Sequence, residues 1–197
     1  MAVNDQFNER ELAVLLRELR LVIAKNITGD VVELGCYRGM TSVEIQRVIA
    51  GWHSAKRLWL YESFAGLPSK VTQDNSPAGM QFKAGELPAS KKEVIRFFKQ
   101  AGLPLPLIKK AWFYDLTPSD LPDRVSFAFL DGDFYESIMD SLKLVWPKLS
   151  EGAIVVVDDY QNEALPGAAK AVDEWLRTHK AGIKVEASLA IIRPALR

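Results

Sequence analysis

The chain has 197 residues, of which 25 are Lys or Arg and 25 are Asp or Glu, so its net charge is zero. Hydrophobic residues make up 48% of the sequence, which excludes an intrinsically disordered chain and indicates one folded domain of ordinary size. The balanced charge offers no electrostatic footprint for nucleic acid or for an anionic membrane, and we expect neither as a partner.

Cysteine content and the N-terminal sequence favour a cytoplasmic protein. The chain contains one cysteine, Cys36, so no internal disulfide can form and a reducing compartment is expected. The polar, acidic start shows neither the pattern of a signal peptide nor an apolar stretch of membrane-spanning length. These features are compatible with a homo-oligomer but do not predict one.

The first half of the chain alternates between helical and strand periodicities. Its patterns predict a helix over residues 8–26, a strand over 31–34, a glycine-bounded turn over 35–39, a helix over 40–51 and a strand over 57–61. Thr41 or Ser42 is expected to cap the second helix. Residues 64–90 carry glycines, prolines and polar residues without a clear period, which is typical of a long loop that serves as a lid.

The second half of the chain continues the alternation. Its patterns predict a helix over residues 90–101, strands over 107–113 and 125–130, a helix over 136–149, a strand over 154–157, a helix over 168–179 and an antiparallel pair over 183–188 and 189–193. Together the elements predict an α/β fold with a single doubly wound, mostly parallel seven-stranded sheet, helices on both faces and an antiparallel last strand. We expect residues 29–197 to form this domain and residues 1–28 to contribute a helix that packs on or caps its core.

Carboxylates follow two neighbouring strands of this predicted sheet. Asp131 and Asp133 come after the strand over 125–130, and Asp158 and Asp159 follow the strand over 154–157. The segment between them has the length of a crossover helix, so the strands should be parallel and end side by side. Carboxylates that meet at this edge would suit a hard divalent cation such as Mg²⁺. The alternative is that these acids only form turns and caps.

The turn between Gly35 and Gly39 predicts a nucleotide site of a particular kind. A dinucleotide fingerprint would need a glycine where Tyr37 stands, and the residues of a P-loop are missing. The pattern Glu33-x-Gly35-x-x-x-Gly39 instead fits a ligand without phosphate, in which an adenosine and a short amino-acid tail lie against the turn. Glu62, at the end of the next strand, could accept both hydroxyls of a ribose. The alternative is that the glycines only turn the chain and Glu62 is a surface acid.

Four stretches in order carry a resemblance to a known family. The sequence reads ELGCYRG at 33–39, YESFAGLP at 61–68, FLDGDFYES at 129–137 and VDDY at 157–160. These stretches resemble the macrocin O-methyltransferase (TylF-like) family, and the similarity runs from about residue 29 to residue 193. Glu62 stands where family members usually carry an aspartate, which keeps the carboxylate on a longer arm. The region before the first strand is shorter than in the family, which leaves the substrate class open.

The resemblance implies a class I, Rossmann-like methyltransferase that uses S-adenosylmethionine and Mg²⁺ to methylate a hydroxyl of a sugar-like small molecule or glycan. It implies that Asp131, Asp158 and Asp159 hold the metal. The cofactor-binding residues that we predict are Glu33, Gly35, Cys36, Tyr37, Gly39, Thr41, Ser42, Glu62, Ser63, Phe113, Tyr114 and Asp131.

Asp133 is our candidate general base, provided that it comes within hydrogen-bond reach of the attacking hydroxyl. Its alternative role is a turn acid that caps the helix beginning near residue 136. Coordination of a hydroxyl to a divalent cation lowers its pKa and fixes its oxygen, and two neighbouring hydroxyls could chelate the ion. A vicinal diol is therefore the predicted acceptor.

Three other readings of the acids remain open. A metal-dependent glycosyltransferase would use Asp131 and Asp133 as a D-x-D motif, but only 64 residues remain for its acceptor region. A haloacid-dehalogenase-like phosphatase would also use a strand-end Asp-x-Asp, with its nucleophile near the N-terminus. A methyltransferase-like fold kept as a binding protein would have no use for the acids, so their presence argues against that reading.

Overall fold

A seven-stranded mixed sheet forms the centre of the computed structural model, which describes residues 8–80 and 82–195. The strands are β1 (Asp30–Leu34), β2 (Leu58–Glu62), β3 (Leu107–Lys110), β4 (Val125–Leu130), β5 (Leu149–Val157), β6 (Ala181–Glu186) and β7 (Leu189–Pro194). Their order is β3-β2-β1-β4-β5-β7-β6. The first five strands are parallel, and β7 runs antiparallel to both β5 and β6. The predicted fold class is confirmed.

Helices cover both faces of this sheet. They are α1 (Glu9–Ala24), α2 (Met40–Gly51), α3 (Lys91–Gln100), α4 (Tyr135–Val145) and α5 (Pro166–Leu176). Buried side chains of α1, α2 and α3 form one apolar cluster with Phe127 and Phe129. Those of α4 and α5 form a second cluster with Ala128 and Leu130. Successive strand residues point to opposite faces, so one buried strand contributes to both clusters.

The N-terminal helix is fixed to the core by an apolar stripe. Leu15 and Leu19 on α1 are fully buried, and the helix packs against α2 and β5. Asn8 caps the helix, because its side chain accepts the N–H of Glu11 while the Glu11 carboxylate accepts the N–H of Asn8. None of the described helices combines the length and the apolar character that a membrane span requires.

Several element boundaries differ from the sequence predictions. The prediction that Thr41 or Ser42 caps α2 is wrong: Gly39 is the N-cap, in a left-handed conformation, and the helix begins at Met40. Strand β3 ends at Lys110, and Phe113 begins a short 3₁₀ turn. Helix α4 ends at Val145 because the following residues form a 3₁₀ turn that contains a proline.

The segment over 64–90 crosses the carboxyl edge of the sheet. Two 3₁₀ turns, Thr72–Asp74 and Pro77–Gly79, interrupt it. Its apolar residues Leu67 and Leu87 pack in a small third cluster with Phe134 and Leu165. The segment is therefore attached to both helices of the second face, at the positions where those helices begin.

Candidate active site

The three central strands end at the same level. Leu34, Leu130 and Val157 occupy matching positions on β1, β4 and β5. The N–H of Asp131 then donates to the carbonyl of Leu34, and the N–H of Asp158 donates to the carbonyl of Leu130, each at 2.9 Å. The residues that follow β4 and β5 therefore lie side by side, as the crossover through α4 requires.

Three carboxylates meet at this edge. Ligand-capable oxygens of Asp131, Asp133 and Asp159 all lie within 4.8 Å of one another, and we call these residues the acid cluster. Asp133 and Asp159 both have a φ of 58°, in the left-handed region that non-glycine residues rarely adopt. Asp158 is buried beside the cluster, but its carboxylate accepts the N–H of Asp159 at 2.9 Å.

Electrostatic repulsion and burial act together in the acid cluster. Burial raises the pKa of Asp131, Asp133 and Asp158 well above the usual range, and neighbouring carboxylates raise it further. Burial raises the pKa of Asp159 to about 6, although a hydrogen bond from Asn162 opposes the rise. The charged groups that contribute most to these pKa shifts are themselves carboxylates. Buried carboxylate oxygens without a basic partner are the donor set that a hard divalent cation prefers.

Gly35 brings the first strand's turn against the acid cluster. A Cβ on Gly35 would lie 1.8 Å from the carbonyl oxygen of Asp131, and the residue has a φ of +94°. Both facts require glycine, because the space is closed and the backbone is left-handed. The predicted role of this glycine was close approach to a cofactor; the structure adds close approach to the backbone of β4.

Glu62 joins the glycine turn to the end of β2. One of its carboxylate oxygens accepts the N–H of Tyr37 at 3.1 Å, and the other accepts the N–H of Phe64 at 2.9 Å and the hydroxyl of Ser63 at 3.2 Å. The carboxylate is thus oriented by groups from two loops while it faces a cavity. This geometry excludes the alternative that Glu62 is an unattached surface acid.

A cavity of about 540 Å³ lies between Glu62, two members of the acid cluster (Asp131 and Asp133) and the loop over residues 64–90. Predicted site residues that line it are Gly35, Tyr37, Glu62, Ser63, Phe113, Tyr114, Asp131 and Asp133. The sequence reasoning missed Trp112, Glu136, Ser137 and Asp140, which also line it. Trp112 stacks on Tyr114 with ring centroids 6.0 Å apart, and its position beside two predicted aromatics was the signal that could have identified it.

The other predicted cofactor residues lie behind this cavity. Glu33 is 1% exposed, and its Oε2 has no hydrogen-bond partner among the described residues; nor does the Ser42 hydroxyl. Burial raises the pKa of Glu33 to about 8, although the nearby Ser42 hydroxyl partly offsets the rise. Cys36 is buried, and burial raises the pKa of its thiol, which disfavours the nucleophilic thiolate form. Gly39 faces the side chain of Val94. Thr41 is half-buried in the first turn of α2.

The charge lining the cavity has a single sign. Its charged residues are Glu62, Asp131, Asp133, Glu136 and Asp140, and no lysine or arginine of the described chain lines it. Such a cavity attracts cations and repels anions.

This fold is that of the class I methyltransferases. The solved structure of the O-methyltransferase NovP matches with a TM-score of 0.78 at 27% sequence identity, and the match covers 94% of this chain and 79% of that one. The calicheamicin methyltransferase CalS11 shares the fold with a TM-score of 0.76 at 16% identity, over 95% of this chain and 80% of that one. The family model for macrocin-O-methyltransferase (TylF) matches residues 7–190. The chain belongs to this family.

Curated relatives are longer than this chain. A Streptomyces olivaceus protein, 8-demethyl-8-(2,3-dimethoxy-alpha-L-rhamnosyl)-tetracenomycin-C 4'-O-methyltransferase, is 33% identical over 150 residues, which are 73% of this chain and 57% of the relative. Mycinamicin III 3''-O-methyltransferase of Micromonospora griseorubida is 31% identical over 162 residues, 78% of this chain and 62% of the relative. The chain thus spans about three-fifths of the length of these relatives.

Proposed function

We propose that this protein is an S-adenosylmethionine-dependent, Mg²⁺-assisted O-methyltransferase that acts on a hydroxyl of a sugar-like small molecule or glycan. The observation that carries the proposal is that Asp131 and Asp133 of the acid cluster line the same cavity as Glu62. Membership of the macrocin-O-methyltransferase family favours methyl transfer over the glycosyl transfer and phosphate chemistry that a D-x-D pattern also allows.

The cofactor would occupy the part of the cavity next to β1 and β2. Glu62 would accept hydrogen bonds from two ribose hydroxyls, and the N–H groups of Tyr37 and Phe64 that bond to its carboxylate would keep it oriented for them. Trp112, Phe113 and Tyr114 offer aromatic surface for an adenine. The acidic lining suits the positively charged sulfonium of S-adenosylmethionine.

The acid cluster fits a divalent cation, and Asp131 and Asp159 belong to both ligand sets that can be proposed. Resemblance to the family adds Asp158, whereas the oxygens that lie closest together add Asp133. A bound divalent cation would lower the pKa of a coordinated hydroxyl and fix its oxygen. We assign Asp158 to the metal, which leaves Asp133 free for a second role.

That second role is proton acceptance. Burial and the nearby carboxylate of Asp159 raise the pKa of Asp133 well above that of an exposed aspartate, so its carboxylate is a stronger base. Asp133 would take the proton of the attacking hydroxyl and hold it while the methyl group moves in line from sulfur to oxygen. No covalent bond to the protein forms, and most of the acceleration would come from alignment.

The negative charge of the cavity lining limits the class of acceptor that can bind. A nucleoside diphosphate sugar would bring two negative charges into a cavity whose lining already carries five carboxylates, whereas a neutral or amino sugar would bring none. The name of the Streptomyces olivaceus relative gives a rhamnosyl compound as what it methylates, and a neutral or cationic glycoside with a vicinal diol is the acceptor that we propose here.

Calorimetry and a methyl-transfer screen test this function. S-adenosylhomocysteine should bind the purified protein, and radiolabelled methyl from S-adenosylmethionine should reach neutral or amino glycosides only when Mg²⁺ is present. Binding of UDP-sugars in place of S-adenosylhomocysteine would support the glycosyltransferase reading. Binding of S-adenosylhomocysteine by a protein that transfers no methyl to any glycoside would support the binding-protein reading.

A further inference from the structure

The lid segment, residues 69–80, contains one fully buried carboxylate outside the acid cluster. Asp74 is 1% exposed at the end of the first 3₁₀ turn. Its Oδ2 accepts the N–H of Val71 at 2.9 Å within the lid segment, and its Oδ1 accepts the N–H of Tyr135 at 2.7 Å. Tyr135 is the first residue of α4, where unpaired N–H groups and the helix dipole favour an anion.

Gly167 provides the space that this carboxylate occupies. A Cβ on Gly167 would lie 1.8 Å from Oδ1 of Asp74 and 2.6 Å from the nitrogen of Tyr135. Gly167 lies in the first turn of α5 without a left-handed φ, so the requirement for glycine here is steric alone. The Asp74 carboxylate thus joins the lid segment to α4. The absence of a side chain on Gly167 of α5 leaves the space that this carboxylate occupies.

Other contacts attach the lid segment to α5 and to the loop before it. The Ser76 hydroxyl donates to the carbonyl of Glu163 at 2.6 Å, and Lys170 donates to the carbonyl of Gln73. Gly79 approaches the chain so closely that a Cβ there would lie 2.0 Å from the carbonyl oxygen of Ala164. Among the side-chain hydrogen bonds found in the described structure, the bond of Asp74 is the one that joins this segment to α4.

The start of α4 matters because it follows the strained residue Asp133. The N–H of Phe134 donates to the carbonyl of Gly132 at 2.6 Å, which closes a tight turn around Asp133 in its left-handed conformation. Strained residues persist only when the surrounding structure fixes them. Phe134, fully buried in the small third cluster, holds one side of this turn, and the bond from Tyr135 to Asp74 holds the next residue.

We propose that Asp74 is a positioning residue, which ties the lid segment to the start of α4 and thereby sets the place of Asp133 in the acid cluster. This inference rests on the proposed function only in the role that it gives to Asp133. The Asp74 carboxylate does not line the cavity. It acts on Asp133 only through the two peptide units of backbone between Tyr135 and Asp133.

Two variants break the anchor in different ways. Asp74→Ala removes the carboxylate, and Gly167→Ala drives a methyl group into its position while leaving Asp74 in the chain. Asp74→Asn keeps one carbonyl acceptor of the same shape and should rescue part of the effect. Glu86→Ala is the matched control, because Glu86 also accepts a backbone N–H, that of Lys83, in the same loop but makes no side-chain bond to α4.

Turnover measured beside ligand binding shows the effect. With the glycoside that the methyl-transfer screen identifies, we expect Asp74→Ala and Gly167→Ala to lower kcat by roughly 10- to 100-fold, a part of the contribution of a general base, about 10²- to 10⁴-fold. The affinities for Mn²⁺ alone and for S-adenosylhomocysteine should stay near those of the wild type, because neither Asp74 nor Asp133 is a proposed ligand of the metal or of the cofactor. Asp74→Asn should give an intermediate kcat, and Glu86→Ala should match the wild type.

Amide exchange on the metal-free protein separates this proposal from the function on which it rests. The first turn of α4 should exchange faster in Asp74→Ala and Gly167→Ala than in the wild type or in Glu86→Ala. If the wild type binds neither S-adenosylhomocysteine nor Mn²⁺, the proposed function fails while the exchange result still tests the anchor. If both variants fold, turn over at the wild-type kcat and exchange at the wild-type rate, Asp74 has no positioning role.

Discussion

Gly35 and Asp131 lie so close together that no side chain can come between them: a Cβ on Gly35 would lie 1.8 Å from the Asp131 carbonyl oxygen. The contact fixes the distance between the turn proposed to hold the cofactor and the strand end that carries the acid cluster. The backbone alone therefore fixes the position of the proposed cofactor turn relative to the acid cluster.

Replacing Gly35 by alanine should be far more damaging than replacing another left-handed glycine. Gly35→Ala combines a backbone clash with a strained φ, and we expect a loss of about 3 kcal/mol or more in the free energy of unfolding. Gly102→Ala is the control, because Gly102 has a φ of +65° but open space around it. That control should lose only about 1 kcal/mol. Urea denaturation measures both, and equal losses would show that the contact with Asp131 relaxes without cost.

Removal of the Glu62 carboxylate should weaken cofactor binding strongly. Glu62→Ala would remove two charge-assisted hydrogen bonds to a ribose and leave the N–H groups of Tyr37 and Phe64 without their acceptor. We expect the affinity for S-adenosylhomocysteine to fall by about 100-fold or more, since each such bond contributes about 1.5–3 kcal/mol. Calorimetry should show no change for Glu44→Ala on the outer surface of α2. An unchanged affinity of Glu62→Ala would place the cofactor elsewhere.

Metal binding should distinguish the roles of Asp133 and Asp158. If Asp158 is a ligand, Asp158→Asn should weaken Mn²⁺ binding on the order of tenfold or more, while Asp133→Asn leaves it nearly unchanged. Asp133→Asn should instead lower kcat by about 10²- to 10⁴-fold, the usual contribution of a general base. The reverse pattern of Mn²⁺ affinities would make Asp133 the third ligand. It would also remove the proposed base.

Stability should depend on pH through Glu33. Its pKa in the folded protein is about 8, above that of an exposed glutamate, so the folded state holds this proton more tightly than the unfolded chain does. The stabilisation is complete below the unfolded pKa and is lost as the pH rises through the folded pKa. Between pH 5 and 8 the wild type should lose stability relative to Glu33→Gln on the order of 1 kcal/mol per pH unit. Parallel stability curves from urea denaturation of the two proteins would contradict this.

Much of the fold could be predicted because the informative signals are local. The run from Val125 to Leu130 is buried throughout, as a central parallel strand requires, and the segment after it has the length of a crossover. The meeting of Asp131 with Asp159 then follows from the handedness and parallel order of such units. The position of the acids at one edge of the sheet could therefore be predicted without knowledge of any contact.

Relationships across long stretches of chain could not be predicted. Asp74 lies in a loop without periodicity and fits against Gly167 of α5, 93 positions further along the chain, and no spacing in the sequence marks this contact. The start of α2 was misjudged for a different reason. Thr41 and Ser42 have side chains that favour a cap, but the left-handed turn at Gly39 begins the helix earlier.

The single sign of charge around the cavity has a consequence for turnover. In the proposed reaction the cofactor enters as a sulfonium cation and leaves as an uncharged thioether, so the cavity's attraction for it decreases in the same step that consumes it. Added salt should therefore weaken the binding of S-adenosylmethionine more than that of S-adenosylhomocysteine, and calorimetry at two ionic strengths would show the difference. Five carboxylates around one cavity would thus favour departure of the spent cofactor as well as capture of the fresh one.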